Sequence, residues 1–184
     1  MKTQFDIKEV LALGKIRNEL DYEKALIADR KLRVLAKEDP KLNDIRKKLR
    51  DLIQDYESKN WSRRSKISER KLKESDAAEM IAEKERLFVE RRKNLIKSKL
   101  KVLGLNQQEL GVILGHKSKS YMSELMNGVS PFSLKDLVII NRLLKIDLID
   151  LVPTFISYSE QVKINSSIEK LNNPKLSKEV FILA

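Results

Sequence analysis

The stretch from Leu103 to Pro153 constrains the fold more than any other part of this chain. It reads LGLNQQELGVILGHKSKSYMSELMNGVSPFSLKDLVIINRLLKIDLIDLVP. Stop and start signals alternate along it every ten residues or so, which leaves room only for short helices. Gly104 follows the last apolar residue of a preceding helix, where a left-handed C-terminal cap favours a residue without Cβ. Asn106 then stands three residues before Glu109, the spacing of a capping box. Leu110, Ile113 and Leu114 form an i, i+3, i+4 stripe on a helix over Gln107–Leu114, and Gly115 closes it. A second helix is expected to begin at Ser118 or Lys119 and to stop before Gly128. Ser133, with Asp136 at the third helical position, announces a third helix carrying Leu137, Ile140, Leu143 and Leu144. A fourth, near Asp147 to Val152, is stopped by Pro153.

The second of these helices has two unlike faces. Met122, Leu125 and Met126 point to a core. Ser120, Ser123, Glu124 and Asn127 fall on the opposite face, with short or medium polar side chains suited to base edges and phosphates. Lys117 and Lys119 stand at its start, where a phosphate would also meet the free N–H groups of the helix. Two short helices joined by a tight turn, the second with such a face, read as a helix-turn-helix.

Charge points the same way. The chain of 184 residues carries a formal net charge of +11. Residues 59–101 hold 15 basic and 7 acidic residues, so most of the excess lies in a belt running into the helix-turn-helix. Phosphate neutralisation requires such a belt. Lys97, Lys99 and Lys101, with Gln107, are the expected phosphate contacts.

Upstream, residues 1–60 read as a helical module. One helix is expected from Asp21 to Lys37, with Ala25, Leu32, Leu35 and Ala36 inward and Tyr22 near its start. Asp39-Pro40 breaks it. A second, from Leu42 to Glu57, carries the stripe Ile45, Leu49, Leu52, Ile53 and Tyr56. Such a hairpin leaves apolar surface uncovered and needs a third element, a second copy or another protein. Residues 61–90 are expected to form a basic helical linker containing Trp61, which packs under the end of the hairpin. A helix from Ser75 to Leu103 is expected within and beyond it, as an arm or a dimerisation helix whose apolar residues are Met80, Ile81, Leu87 and Phe88. Its last part, with Leu95, Ile96, Leu100 and Leu103, opens a five-helix core over 91–153. Residues 154–184 form an extension with a modest helical pattern at Val162, Ile164, Ile168 and Leu171, and an apolar end at Val180 to Leu183. The fold class is all-α.

Other chemistries lack their residues. With no cysteine there is neither a disulfide nor a thiol nucleophile. The single histidine, His116, makes neither a metal site nor a general-base constellation; a DNA-backbone contact or a plain surface role is expected. The five glycines form no phosphate-binding loop. Neither an enzyme nor a cofactor is expected. No apolar run approaches the ~20 residues of a membrane span. The N-terminus lacks the apolar core of a signal peptide. A cytoplasmic protein without membrane contact is expected.

The segments LNQQELGVILG, KSYMSELMNG and SPFSLKDLVIINRLLKI resemble the xenobiotic-response-element (Cro/C1-type) helix-turn-helix domain. More narrowly, the chain is similar to HigA-type antitoxins, because IRNELDYEKALIADRKLRVLAKEDPKLNDIRKKLRDLIQDYESKNW resembles their N-terminal hairpin. The resemblance covers residues 16–61 and 91–153. It implies that Gln107 holds a phosphate, that Lys119, Ser120 and Tyr121 head the recognition helix, and that Ser123, Glu124 and Asn127 continue its DNA face. It further implies a homodimer repressing its own operon on an inverted repeat of operator DNA, and an N-terminal region that neutralises a RelE-like mRNA-cleaving toxin. The alternative is a stand-alone Cro/C1-type regulator whose N-terminal module associates with itself. A third, from another class, is an interaction protein with a vestigial helix-turn-helix.

Overall fold

A computed structural model of the chain describes residues 4–62, 67–154, 156, 158–173 and 175. The protein is all-α: every regular element among these residues is a helix. The first, α1 (Ile7–Leu13), has no counterpart in the sequence reading. Asp6 starts it by accepting from the Lys8 amide, and Gly14 ends it at φ 64°. Ile7 and Val10 are buried in the core of the first three helices. Burial of two such side chains stabilises the docked position of α1 by ~1.5–3 kcal/mol each.

The hairpin forms as its pattern predicts, with shifted ends. α2 (Glu19–Leu35) starts two residues earlier than expected, because Asn18 is the cap and accepts from the Asp21 amide. Asp39 and Pro40 lie in the break, and α3 (Leu42–Asn60) follows. Tyr22 and Tyr56 stack across the pair at 5.0 Å. Tyr22 Oη donates to Glu57 at 2.8 Å, and Tyr56 Oη donates to Glu19 at 2.9 Å. The same Glu19 accepts from Ser75 at 3.2 Å, tying in the next helix. Trp61 caps the end of α3 half-buried, with the Lys71 ammonium 4.6 Å above its ring.

That next helix, α4 (Glu69–Val102), is 34 residues without interruption, so it is ~51 Å long. Its cap is Ser68; Ser75, the expected start, is inside it. Its buried positions are Ala78, Ala82, Glu85, Val89, Arg92, Ile96 and Leu100. Spacings of three and four keep them on one stripe. Of the four apolar residues expected to matter, Met80 and Leu87 are exposed and Ile81 and Phe88 are half-buried. The first half of α4 is not an arm that separates two modules. It packs along α2 and supplies the third element the hairpin lacks. Ala25 and Ala28 of α2 and Ala78 and Ala82 of α4 are all buried.

The second half of α4 carries Ile96 and Leu100 into another core. It is shared with α5 (Gln107–Leu114), α6 (Lys119–Asn127), α7 (Leu134–Leu144) and the short α8 (Leu148–Leu151). A final helix, α9 (Tyr158–Leu171), covers the stretch with the modest helical pattern. The apolar end at 180–183 lies outside the described residues. No helix among the described residues is long and apolar enough to cross a membrane.

The tyrosine pair gives a pH signature. Burial first, and then the hydrogen bond to a carboxylate, raise both phenols well above the ordinary value of 10.0. A raised pKa favours the neutral form in the folded state. Its stabilisation is therefore complete below pH ~10 and is lost as the pH rises further. An alkaline absorbance titration is expected to show a late-ionising component that disappears in Tyr22→Phe with Tyr56→Phe. Ionisation of all tyrosines in one ordinary step would contradict this packing.

Candidate nucleic-acid interface

The α5–α6 pair is built by local signals. Gly104 turns the chain at φ 67°. The Asn106 side chain accepts from the amides of Gln108 (2.8 Å) and Glu109 (3.1 Å), and Glu109 accepts from the Asn106 amide at 2.7 Å. Gly115 ends α5 at φ 85°. Ser118 opens α6 by accepting from the Tyr121 amide at 3.2 Å. Leu110 and Leu114 from α5, with Met122, Leu125 and Met126 from α6, are buried in the core. Ile113, expected inward, is 45% exposed. Gly111 faces α6: a Cβ there would sit in ordinary contact, 3.4 Å from the His116 carbonyl oxygen and 3.5 Å from Met122 Cγ. The Ser133–Asp136 capping box expected for α7 is present.

The polar face of α6 divides in two. Lys117, Ser118, Lys119 and Ser120 are exposed at its N-terminal end, and Gln107 is half-buried on the first turn of α5. Two lysines and a hydroxyl at the positive end of a helix dipole attract and hydrogen-bond an anion. Tyr121 and Ser123 are half-buried.

The second half of the face is covered. Glu124, expected to face DNA, is only 9% exposed. It accepts from Ser130 Oγ at 3.0 Å and pairs with Lys8 of α1 at 3.3 Å. Asn127 is likewise occupied. Its side-chain oxygen accepts from Lys93 at 2.9 Å, its backbone carbonyl accepts from Lys31 at 3.1 Å, and its amide nitrogen donates to the Ser123 carbonyl at 2.9 Å. Burial lowers the Lys31 pKa, with the nearby Glu90 opposing the shift. Two cations at the C-terminal end of α6 also complement its dipole. Periodicity shows that Glu124 and Asn127 share a face with Ser120; it cannot show that the N-terminal helices pack on that face. Lys8, Lys31, Lys93 and Ser130 carry no sequence signal of this role, because each reads as an ordinary solvated residue.

His116 is a strut, not a free surface residue. Its Nε2 is 3.1 Å from Asp136 Oδ1, and its ring meets that of Tyr121 edge-on at 5.1 Å. The turn between α5 and α6 is thereby fixed to the start of α7. Lys97 and Lys101 are exposed and Lys99 is half-buried on the last turns of α4, outside the α5–α6 pair. Among the described residues there is no group of three or more side chains placed to hold a metal ion.

The geometry defines an all-α chain in which α5 and α6 are joined by a tight turn and α6 exposes a basic N-terminal end. No family model, curated protein or solved structure matches the chain.

The C-terminal cap of α6 packs closely on α4. Gly128 has φ 71°, and a Cβ there would lie 2.7 Å from Val89 Cγ1. Gly128→Ala is expected to cost about 2 kcal/mol or more, through left-handed strain and a displaced Val89. Gly104→Ala, at φ 67° with nothing within 4 Å, is expected to cost only the strain, about 1 kcal/mol. Urea denaturation compares the two; equal losses would mean that Val89 yields freely.

Proposed function

We propose that this chain is a sequence-specific DNA-binding regulator that places the N-terminal half of α6 in the major groove. One observation carries the reading: a capped helix-turn-helix with Lys117, Ser118, Lys119 and Ser120 exposed at the free end of its second helix. Gln107, Lys117 and Lys119, with Lys97, Lys99 and Lys101 on α4, hold phosphates. Ser120, Tyr121 and Ser123 are nearest to base edges. Glu124 and Asn127 take no part in base reading, because internal partners occupy them. Two copies on an inverted repeat would set their α6 helices about one helical turn apart.

The resemblance to HigA-type antitoxins supports a finer reading, an autoregulatory repressor that also neutralises a RelE-like toxin. The alternative is a stand-alone regulator whose N-terminal module associates with itself. α4 and α1 pack on the hairpin and supply the third element it needs, so its apolar faces call for neither a toxin nor a second copy.

Fluorescence anisotropy with the chain's own upstream promoter duplex and a scrambled duplex, at two salt concentrations, tests the main reading. Promoter-selective binding that weakens steeply with salt is expected, and Ser120→Ala with Ser123→Ala is expected to erode the selectivity. Equal weak binding to both duplexes would sink it. Co-purification of the full chain from its native host separates the finer readings. A small basic partner supports the antitoxin, and a chain recovered only with itself supports the stand-alone regulator.

A further inference from the structure

We infer that the N-terminal helix α1 is part of the DNA-binding surface and that Lys8 supplies a phosphate contact within it. This rests on the DNA-binding reading above and changes which residues form the site. Lys8 lies beside the reading face of α6: its ammonium is 3.3 Å from Glu124 Oε2 and 5.1 Å from the Tyr121 ring centroid. Without it, Glu124 would leave an unneutralised carboxylate at the covered edge of a surface meant for a polyanion. The Lys8 side chain is 58% exposed. A lysine ammonium has three donors, so one pairing with Glu124 leaves others directed at solvent or at a phosphate.

The position of Lys8 is not accidental. Its neighbours Ile7 and Val10 are buried in the first core. The Phe5 amide donates to Glu85, and Gln4 accepts from Arg92, both on the buried stripe of α4. The segment before α1 is thus fixed to the helix that carries the helix-turn-helix. Val129, just past the end of α6, packs into the same core as Ile7 and Val10. Release of α1 would break all of these contacts at once, so the cation stays at the surface. The DNA-facing surface is therefore composite, with Lys8 from α1, Gln107 from α5, and Lys117, Lys119 and Ser120 at the head of α6.

Promoter binding of the full chain, followed across salt concentration, tests this with three variants. Lys8→Gln is expected to weaken binding several-fold and to make the log–log salt slope shallower by ~0.9, the loss of one phosphate contact. Lys8→Arg is expected to keep the wild-type slope. Lys8→Gln with Glu124→Gln removes the repulsion as well as the cation, so it is expected to recover affinity while the slope stays shallow. A wild-type slope in Lys8→Gln, or its return in the double variant, would overturn the proposal and reduce Lys8 to a neutraliser of Glu124. In either case selective wild-type binding would leave the DNA-binding reading standing. A wild type that shows no promoter selectivity overturns both.

Discussion

A single buried guanidinium holds the architecture together. Arg92 is 2% exposed. It donates to the Leu151 carbonyl at 3.0 Å and to Gln4 Oε1 at 2.9 Å. Its carbon lies 5.6 Å from the Phe88 ring and 5.2 Å from that of Phe132. These contacts join the segment before α1, the middle of α4, the loop before α7 and the end of α8. Burial pushes the Arg92 pKa down to about 10, and the charge of Glu85 opposes the shift, so the group remains a cation at neutral pH. Removing a charge from water costs several kcal/mol, and only good hydrogen bonds and ring contacts offset that cost. The site therefore tolerates little rearrangement, and the four segments are held in one arrangement.

Seven residues earlier on the same stripe, Glu85 plays the complementary part. It is 5% exposed, pairs with Lys24 of α2 and accepts from the Phe5 amide at 3.1 Å. Buried charges of both signs thus sit on α4 where it passes from the first core to the second. Leucine at either position would pack without specifying which segment lies where. Charged groups with directional partners specify it, because a misplaced neighbour leaves a charge buried and unpaired.

This arrangement decides the shape of the candidate interface. α6 is anchored at its C-terminal end by Lys31 from α2 and by Lys93 and Val89 from α4. It is open at its N-terminal end. The N-terminal helices shorten the polar face of α6 and place Lys8 next to what remains of it. In this chain the hairpin and the α5–α6 pair are not beads on a string: a change at α1 or α2 reaches α6 directly.

The local elements were legible in the sequence. Asn106 with Glu109, Ser118, and Ser133 with Asp136 cap their helices through side chain–backbone bonds spanning two or three residues, so reading them needs no knowledge of the fold. The glycine stops at Gly115 and Gly128, the Pro40 break and the inward set Met122, Leu125 and Met126 are local for the same reason. The exposed head of α6 followed from that register. Tertiary structure alone decided what each helix face meets. The first half of the buried stripe of α4 is Ala78, Ala82 and Glu85, followed by Val89 and Arg92, while Met80 and Leu87 face solvent, so hydrophobicity alone does not pick out the contact face of this half. The fates of Glu124, Asn127, His116 and Lys8 depend on partners as far as 116 residues away. Helical periodicity determines which residues share a face; only the packing of distant segments determines whether that face meets water, DNA or the rest of the chain.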